Sequence, residues 1–252
     1  MSGAEAKPRW GDQARDQKAM AIHATLVEVC GPQVAGGTWL DVGCGSGGIA
    51  AGLASRVERV FGVDPEPWPT WPDLMAAHAN LILQVGGFDA EIPPRLEKAV
   101  DVVICNQVYE HVRNPAQLVR NLGRVVGSKG VCYFAGPNLL WPVEPHVFWP
   151  AVHWMPRRFA QRLMTALGSD QAKALDAFSA PSWRLRRWFR QSGFEVRCAL
   201  RERLVVELRA RGHLSLAVAM GLVPRWIYRL LEPVAPGFVY VLTKDTDRQG
   251  HP

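Results

Sequence analysis

The chain has 252 residues, of which 48% are hydrophobic and 21% charged, with a net charge of +6. That length and balance suit a globular chain and exclude collagen-like, disordered and heptad-repeat classes. No window approaches the roughly 18 apolar residues of a spanning helix; the longest apolar stretch, Leu214 to Val223, contains Ser215 and is closed by Pro224 and Arg225.

In chain order, Met1 to Arg9 is small and polar with no apolar h-region, so no secretory signal is read and a cytoplasmic chain is expected. Asp12 to Cys30 predicts a helix, because Met20, Ile22, Leu26, Val27 and Val29 recur at helical spacing. Thr38 to Val42 is a short apolar run ending in a glycine cluster, a strand entering a tight turn. Helix is predicted over Ile49 to Val57, and strands over Arg59 to Val63, Leu81 to Val85 and Val100 to Cys105. Pro115 to Val126 is an amphipathic helix with Leu118, Val119, Leu122 and Val126 on one stripe. Gly127 to Gly130 reads as a turn and Val131 to Ala135 as a fifth strand.

Strands alternating with helices give an α/β fold with a doubly wound, mostly parallel sheet. After Gly136 the rhythm breaks into a stretch rich in proline and tryptophan, Pro137 to Pro156, expected to be an inserted lid. Helix resumes at Ser182 to Gln191, with strands at Phe194 to Leu200 and Phe238 to Thr243. The expected organisation is one domain: an N-terminal helical cap (1–36), a cofactor-binding core (37–136), a lid or acceptor insertion (137–180), and C-terminal helices and last strands (181–252).

The sharpest feature is Asp41-Val-Gly43-Cys44-Gly45-Ser46-Gly47-Gly48 between the first strand and its helix. Glycines let the backbone turn tightly and approach a ligand, and the following helix turns free amides towards it. Nineteen residues after Gly45, at the end of the second strand, stands Asp64, placed to accept from both hydroxyls of a ribose. Gly43, Gly45 and Gly48 also satisfy the dinucleotide fingerprint, so an NAD-dependent oxidoreductase is a distant alternative. Against it, Asp41 suits a cationic amino group better than a pyrophosphate. Asp89, in Gly87-Phe88-Asp89-Ala90-Glu91, stands where a carboxylate takes the exocyclic amine of adenine. Asn106-Gln107-Val108-Tyr109-Glu110-His111 follows the fourth strand, beside the crevice at the strands' carboxyl ends.

These residues resemble the class I S-adenosylmethionine-dependent methyltransferases, and in particular the family of the ubiquinone and menaquinone methyltransferases. The likeness covers about Arg9 to Asn138 and resumes weakly at Pro181 to Leu200. It implies a Rossmann-like methyltransferase fold and S-adenosyl-L-methionine as cofactor. By position it implies that Gly43, Cys44, Gly45 and Gly47 hold the methionine portion, with Asp41 nearby. Asp64 would bind ribose, Asp89 with Phe88 or Ala90 the adenine, and Asn106 would line the methionine end. The stretch Pro65 to Pro72 departs from the family, which usually starts a helix there.

Methyl transfer to oxygen calls for a base, and histidine titrates near neutrality. His146, in Pro142-Val-Glu144-Pro145-His146, and His111 are the catalytic candidates; His153 is a weaker one. The family's Glu-x-x-Glu-His arrangement is thought to hold a divalent metal, but Gln107 stands in its first position, so no metal site is expected. Glu110 and His111 are then expected to cap or orient the following helix. Trp141, Phe148, Trp149 and Trp154 offer an aromatic acceptor pocket, which suits a small or lipid-linked hydroxyl compound.

Charge is uneven: Ala151 to Leu230 carries 15 Lys/Arg against 5 Asp/Glu. This basic third suits an anionic partner. Leu214 to Leu231 fits either a buried helix pair, the preferred expectation, or peripheral contact with an anionic membrane. A nucleic-acid methyltransferase would use the same charge for phosphates, yet no Asn-Pro-Pro-Tyr motif follows the fourth strand, so nucleic acid is not the expected acceptor. Carbon methylation stays open beside oxygen. The five cysteines form no CxxC pair and suit free thiols in a reducing compartment.

Overall fold

The computed structural model describes residues 12–88, 96, 100–144, 147–170, 172, 175 and 179–244. Seven strands form one sheet: β1 (Thr38–Val42), β2 (Arg59–Asp64), β3 (Leu81–Val85), β4 (Val100–Asn106), β5 (Val126–Pro137), β6 (Phe194–Cys198) and β7 (Gly237–Lys244). Their order is β3-β2-β1-β4-β5-β7-β6. The first five pair in parallel, whereas β7 lies antiparallel to both its neighbours. The dinucleotide fold carries the all-parallel order 3-2-1-4-5-6, so the reversed β7 wedged between β5 and β6 separates this sheet from it.

The sheet is buried on both faces because its strands alternate large apolar side chains in both directions. Leu40, Val103 and Phe134 face α4 (Pro115–Val125) and α6 (Ser182–Gln191) through Leu118, Leu122, Leu185 and Phe189. Trp39, Ile104 and Tyr133 face α1 (Asp12–Cys30) and α2 (Gly48–Ala54) through Ala19, Ile22, Ala50 and Leu53. Helix α1 rests directly on α2: a Cβ at Gly52 would lie 2.9 Å from that of Ala19. All five cysteines are free thiols.

Several boundaries differ from the sequence reading. Helix α3 (Trp71–Ala77) does form, starting at the end of the proline-rich stretch with Pro72 in its first turn, where a missing amide is tolerated. Strand β5 runs unbroken from Val126 through the expected turn, and the irregularity appears as a register shift between Val100 and Val102 of β4. Strand β6 stops at Cys198, and Leu200 instead opens α7 (Leu200–Ala210). Helix α4 is capped by Asn114, whose side chain accepts from the Gln117 amide at 3.1 Å, so Glu110 and His111 are not its cap.

After β5, residues 138–180 include α5 (Arg157–Ala166) and a small apolar cluster of their own around Val147, Val152, Ala160 and Met164. His153 sits inside that segment with Nε2 2.9 Å from the Trp141 carbonyl oxygen and 3.1 Å from that of Leu139, a structural contact. At the segment's root, buried Asn138 donates to the Pro233 and Ala235 carbonyls at 2.8 and 2.9 Å, pinning the chain that enters β7. Glu232 beside it takes both a forked Arg186 contact and the Tyr240 hydroxyl, so its buried charge is matched.

The largest correction concerns α8 (Leu214–Leu222) and α9 (Arg225–Leu231). They are not a buried pair: Ala217 alone is buried in α8 and no residue is buried in α9. No single described helix is long and apolar enough to cross a membrane; the two together have the length and apolar composition of one span but are bent by 90°. Glu202 of α7, buried, holds α9 in place by accepting from Arg225 Nε at 2.8 Å.

Candidate active site

The loop after β1 is built by glycine at positions where other residues would be strained. Gly43, Gly45 and Gly47 have φ of 68°, 52° and 82°, the left-handed region. A Cβ on Gly43 would lie 2.6 Å from Val108, and one on Gly47 2.7 Å from Leu83, so both also permit close packing. Gly45 is different: the nearest atom to its Cβ position is Trp68 at 3.9 Å, which leaves its outer face open.

Asp64 at the end of β2 accepts the Gly45 amide on Oδ2 at 2.9 Å and the Glu66 amide on Oδ1 at 3.2 Å. Each carboxylate oxygen has a second lone pair, so the group can still receive hydroxyls. The tryptophan-rich stretch folds back over this loop. Trp71 Nε1 donates to the Gly45 carbonyl at 2.8 Å and Thr70 to that of Ser46 at 2.7 Å, while the Trp68 ring lies beside Asp64. Trp68 is thus a wall residue that the sequence alone did not single out; its signal was the very departure from the family pattern.

Asp41 is 3% exposed and its Oδ2 has no hydrogen-bond partner among the described residues. Burial, and behind it the Asp64 carboxylate, push its pKa up to about 7, against the pull of Lys18 and Arg15. A buried carboxylate oxygen without a donor is costly and is relieved by a ligand cation. Together with the open face of Gly45 and the carboxylate of Asp64, it fits the ammonium, backbone and ribose of an adenosyl amino acid.

Other predicted residues fall differently. Cys44 gives its backbone to the loop, its amide donating to Val63 at 3.2 Å, but its side chain is buried against the sheet and burial raises the thiol far above its ordinary value. The Phe88 ring is buried on the α4 side of the core, and its carbonyl accepts from Asn121 at 2.7 Å. Asp89, Ala90 and His146 lie outside the described residues. His111 is exposed in the turn after β4. Phe148 and Trp154 are exposed, and none of the four aromatic residues expected to form an acceptor pocket lines either of two cavities that border the loop and the sheet ends.

One cavity, a groove of about 1310 Å³ between α1 and α7, reaches the loop only at Cys44. A second, of about 580 Å³, lies over the ends of β4 and β5 and is lined by Asn106, Gln107, Ala135, Gly136, Lys18 and Tyr228, among others. It adjoins the glycine loop, because β1 and β4 are paired up to Val42 and Cys105 and Val108 packs on Gly43. Gln107 holds a left-handed φ of 58°, with its amide donating to Ala135 at 2.8 Å. Such strain in a residue other than glycine costs about 1–3 kcal/mol and gathers at working sites.

Lys18 lines both cavities. Burial, then Arg203, lowers its pKa below the ordinary 10.5, while Glu207, Asp41 and Glu110 pull the other way. Arg203 is itself held by Glu207 at 2.6 Å. Lysine at helical spacing on an N-terminal helix carries no chemical signature in sequence, so only the fold reveals it. Among the described residues no group of three His, Cys, Asp or Glu stands together as a metal site.

Residues 13–199 match the model of a methyltransferase domain family. The chain belongs to that family. Among curated relatives, an uncharacterized methyltransferase of Mycobacterium leprae is 34% identical over 110 residues, covering 42% of this chain and 39% of that one. The chain therefore spans about two fifths of the length of that relative. A ubiquinone biosynthesis O-methyltransferase of Pseudomonas fluorescens is 27% identical over 194 residues, covering 75% and 79%. An S-adenosylmethionine-dependent methyltransferase structure from Mesorhizobium loti superposes with a TM-score of 0.58 at 14% identity, covering 92% of this chain and 99% of that one. The [4+2]-cyclase SpnF superposes at 0.56 with 17% identity, covering 95% and 85%. At these identities the superpositions show the fold, that of the class I S-adenosylmethionine-dependent methyltransferases.

Proposed function

We propose that the chain transfers a methyl group from S-adenosyl-L-methionine to an oxygen of a small or lipid-linked acceptor. The observation that carries this is the cavity at Asn106 and Gln107, set against the glycine loop and lined by a half-buried lysine. The curated relative named an O-methyltransferase of ubiquinone biosynthesis supports oxygen as the atom methylated.

When bound, the donor supplies a sulfonium-activated methyl group, and the remaining work is placement and exclusion of water. Asp41 would hold its ammonium, the amides of Gly43 to Gly47 its methionine portion, and Asp64 its ribose, while Asn106 lines the border with the acceptor. In this reading Lys18 in its neutral form takes the proton from the acceptor hydroxyl, raising its nucleophilicity. His146 is the second candidate for that proton and His111 the third. Free thiols throughout support work in a reducing compartment.

The test is a transfer assay with isotopically labelled donor against phenols, aliphatic and lipid-linked alcohols, carboxylic acids, amines and RNA, with products read by mass spectrometry. Labelled ether or ester products from hydroxyl or acid acceptors are expected. Label appearing only on amines or RNA contradicts the reading.

A further inference from the structure

Half of the large hydrophobic residues exposed among the described residues, eight of sixteen, lie between 214 and 234. Leu222 is 78% exposed, Leu230 68%, Leu214 63% and Trp226 60%. A helix apolar all round is normally buried in a core or in lipid, and scattered exposed residues are ordinary whereas a contiguous patch marks an interface. The bend comes at Val223-Pro224, where Pro224 forbids a continuing helix. Helix α8, nine residues and so about 14 Å long, cannot cross a hydrocarbon layer of about 30 Å. It can lie in one leaflet.

Charge selects the occupant. From 209 to 231 the chain holds Arg209, Arg211, Arg225 and Arg229 and no Asp or Glu. Arg225 is answered by Glu202, but Arg209, Arg211 and Arg229 are exposed around the apolar surface. A second copy of this chain would bring arginine against arginine with no carboxylate in the patch. An anionic bilayer offers acyl chains to the apolar faces and phosphates to the guanidinium groups.

We propose that α8 and α9 are a docking surface for an anionic lipid bilayer, and that they pass a lipid-linked acceptor to the cavity. The same stretch of chain also lines that cavity, through Tyr228 and Leu231 of α9 and Val234 just beyond it. Asn138 and Glu202 fix the wall to the sheet and to α7. An acceptor with an apolar tail thus reaches Asn106 with its tail still in the leaflet. Only this second half rests on the methyl-transfer reading.

The test is flotation of the full chain with vesicles of equimolar phosphatidylcholine and phosphatidylglycerol, and with pure phosphatidylcholine, beside donor titration of the same samples. Binding to the anionic vesicles is expected, weakened about fivefold in Arg229→Gln. In the triple variant Leu216→Ser, Leu222→Ser, Trp226→Ser it should weaken at least about tenfold. Those side chains are exposed, so donor affinity and melting temperature should stay at wild-type values. Absence of anionic-vesicle binding, or binding indifferent to the triple variant, overturns the proposal. A dimer in sedimentation that the triple variant dissociates, without vesicle binding, overturns it in favour of self-association. Vesicle binding that persists in a chain unable to bind the donor upholds the surface and defeats the methyl-transfer reading alone.

Discussion

Lys18→Met is expected to lower kcat for an oxygen acceptor by about 10²–10⁴-fold, the usual contribution of a general base. The substitution keeps the length of the side chain and its packing between α1 and α7 while removing the amine. The same cavity holds Arg203 and Glu207, which are paired with each other, so neither is free to take the proton in its place. The pH profile separates chemistry from packing. Burial and Arg203 favour the neutral amine, so the lysine loses its proton below the ordinary 10.5. The wild-type rate should therefore rise with pH and level off below 10.5, and the Met variant should lack that limb. An unchanged profile in Lys18→Met, with a lost limb in His146→Ala, would move the role to His146.

Asp41→Asn should make the chain without donor more stable at pH 8 and bind donor more weakly. The sign follows from its raised pKa. The cost of burying the ionised carboxylate is absent below its unfolded pKa near 3.8 and grows until the pH passes about 7, where it is complete. The groups that set it are Asp64 on β2, which raises it, and Lys18 and Arg15 on α1, which lower it. Above pH 7 the stability gain from Asn should be about 2 kcal/mol, reduced from the full shift by relaxation around the site. Urea unfolding at pH 8 and pH 4 checks this; the gain should all but vanish at pH 4. Donor affinity should fall at least about tenfold, since a charge-assisted contact is lost. Wild-type affinity should weaken as the pH drops below 7, and the variant should lose that dependence. A variant less stable than wild type at pH 8 would show that Asp41 is already satisfied in the free protein.

Much of the candidate donor side stands out in sequence because the proposed chemistry needs particular residue types at fixed spacing. Glycine at 43, 45 and 47 and aspartate at 41 and 64 have no common substitutes for left-handed backbone and for acceptor-only side chains, so they stand out. The sheet was equally legible, since strands buried on both faces read as continuous apolar runs. The acceptor side was not. Lys18 comes from one end of the chain, Tyr228 and Val234 from the other, and Asn106 from the middle; topology alone gathers them. For the aromatic residues after β5, composition does not say which way a ring points, and Phe148 and Trp154 stand exposed. The pair α8 and α9 misled: an apolar helix implies burial only if something covers it, and within the described chain nothing does.

The measurement that bears most directly on the central claim is calorimetric titration of the chain with S-adenosylmethionine, its demethylated product and NADH, on wild type and Asp64→Ala. The account predicts that the first two bind and NADH does not. In Asp64→Ala, with melting confirming a folded sample, both should bind at least about a hundredfold more weakly, because the ribose loses its acceptor and the Gly45 amide its anchor. Binding of NADH with no binding of S-adenosylmethionine would contradict the account.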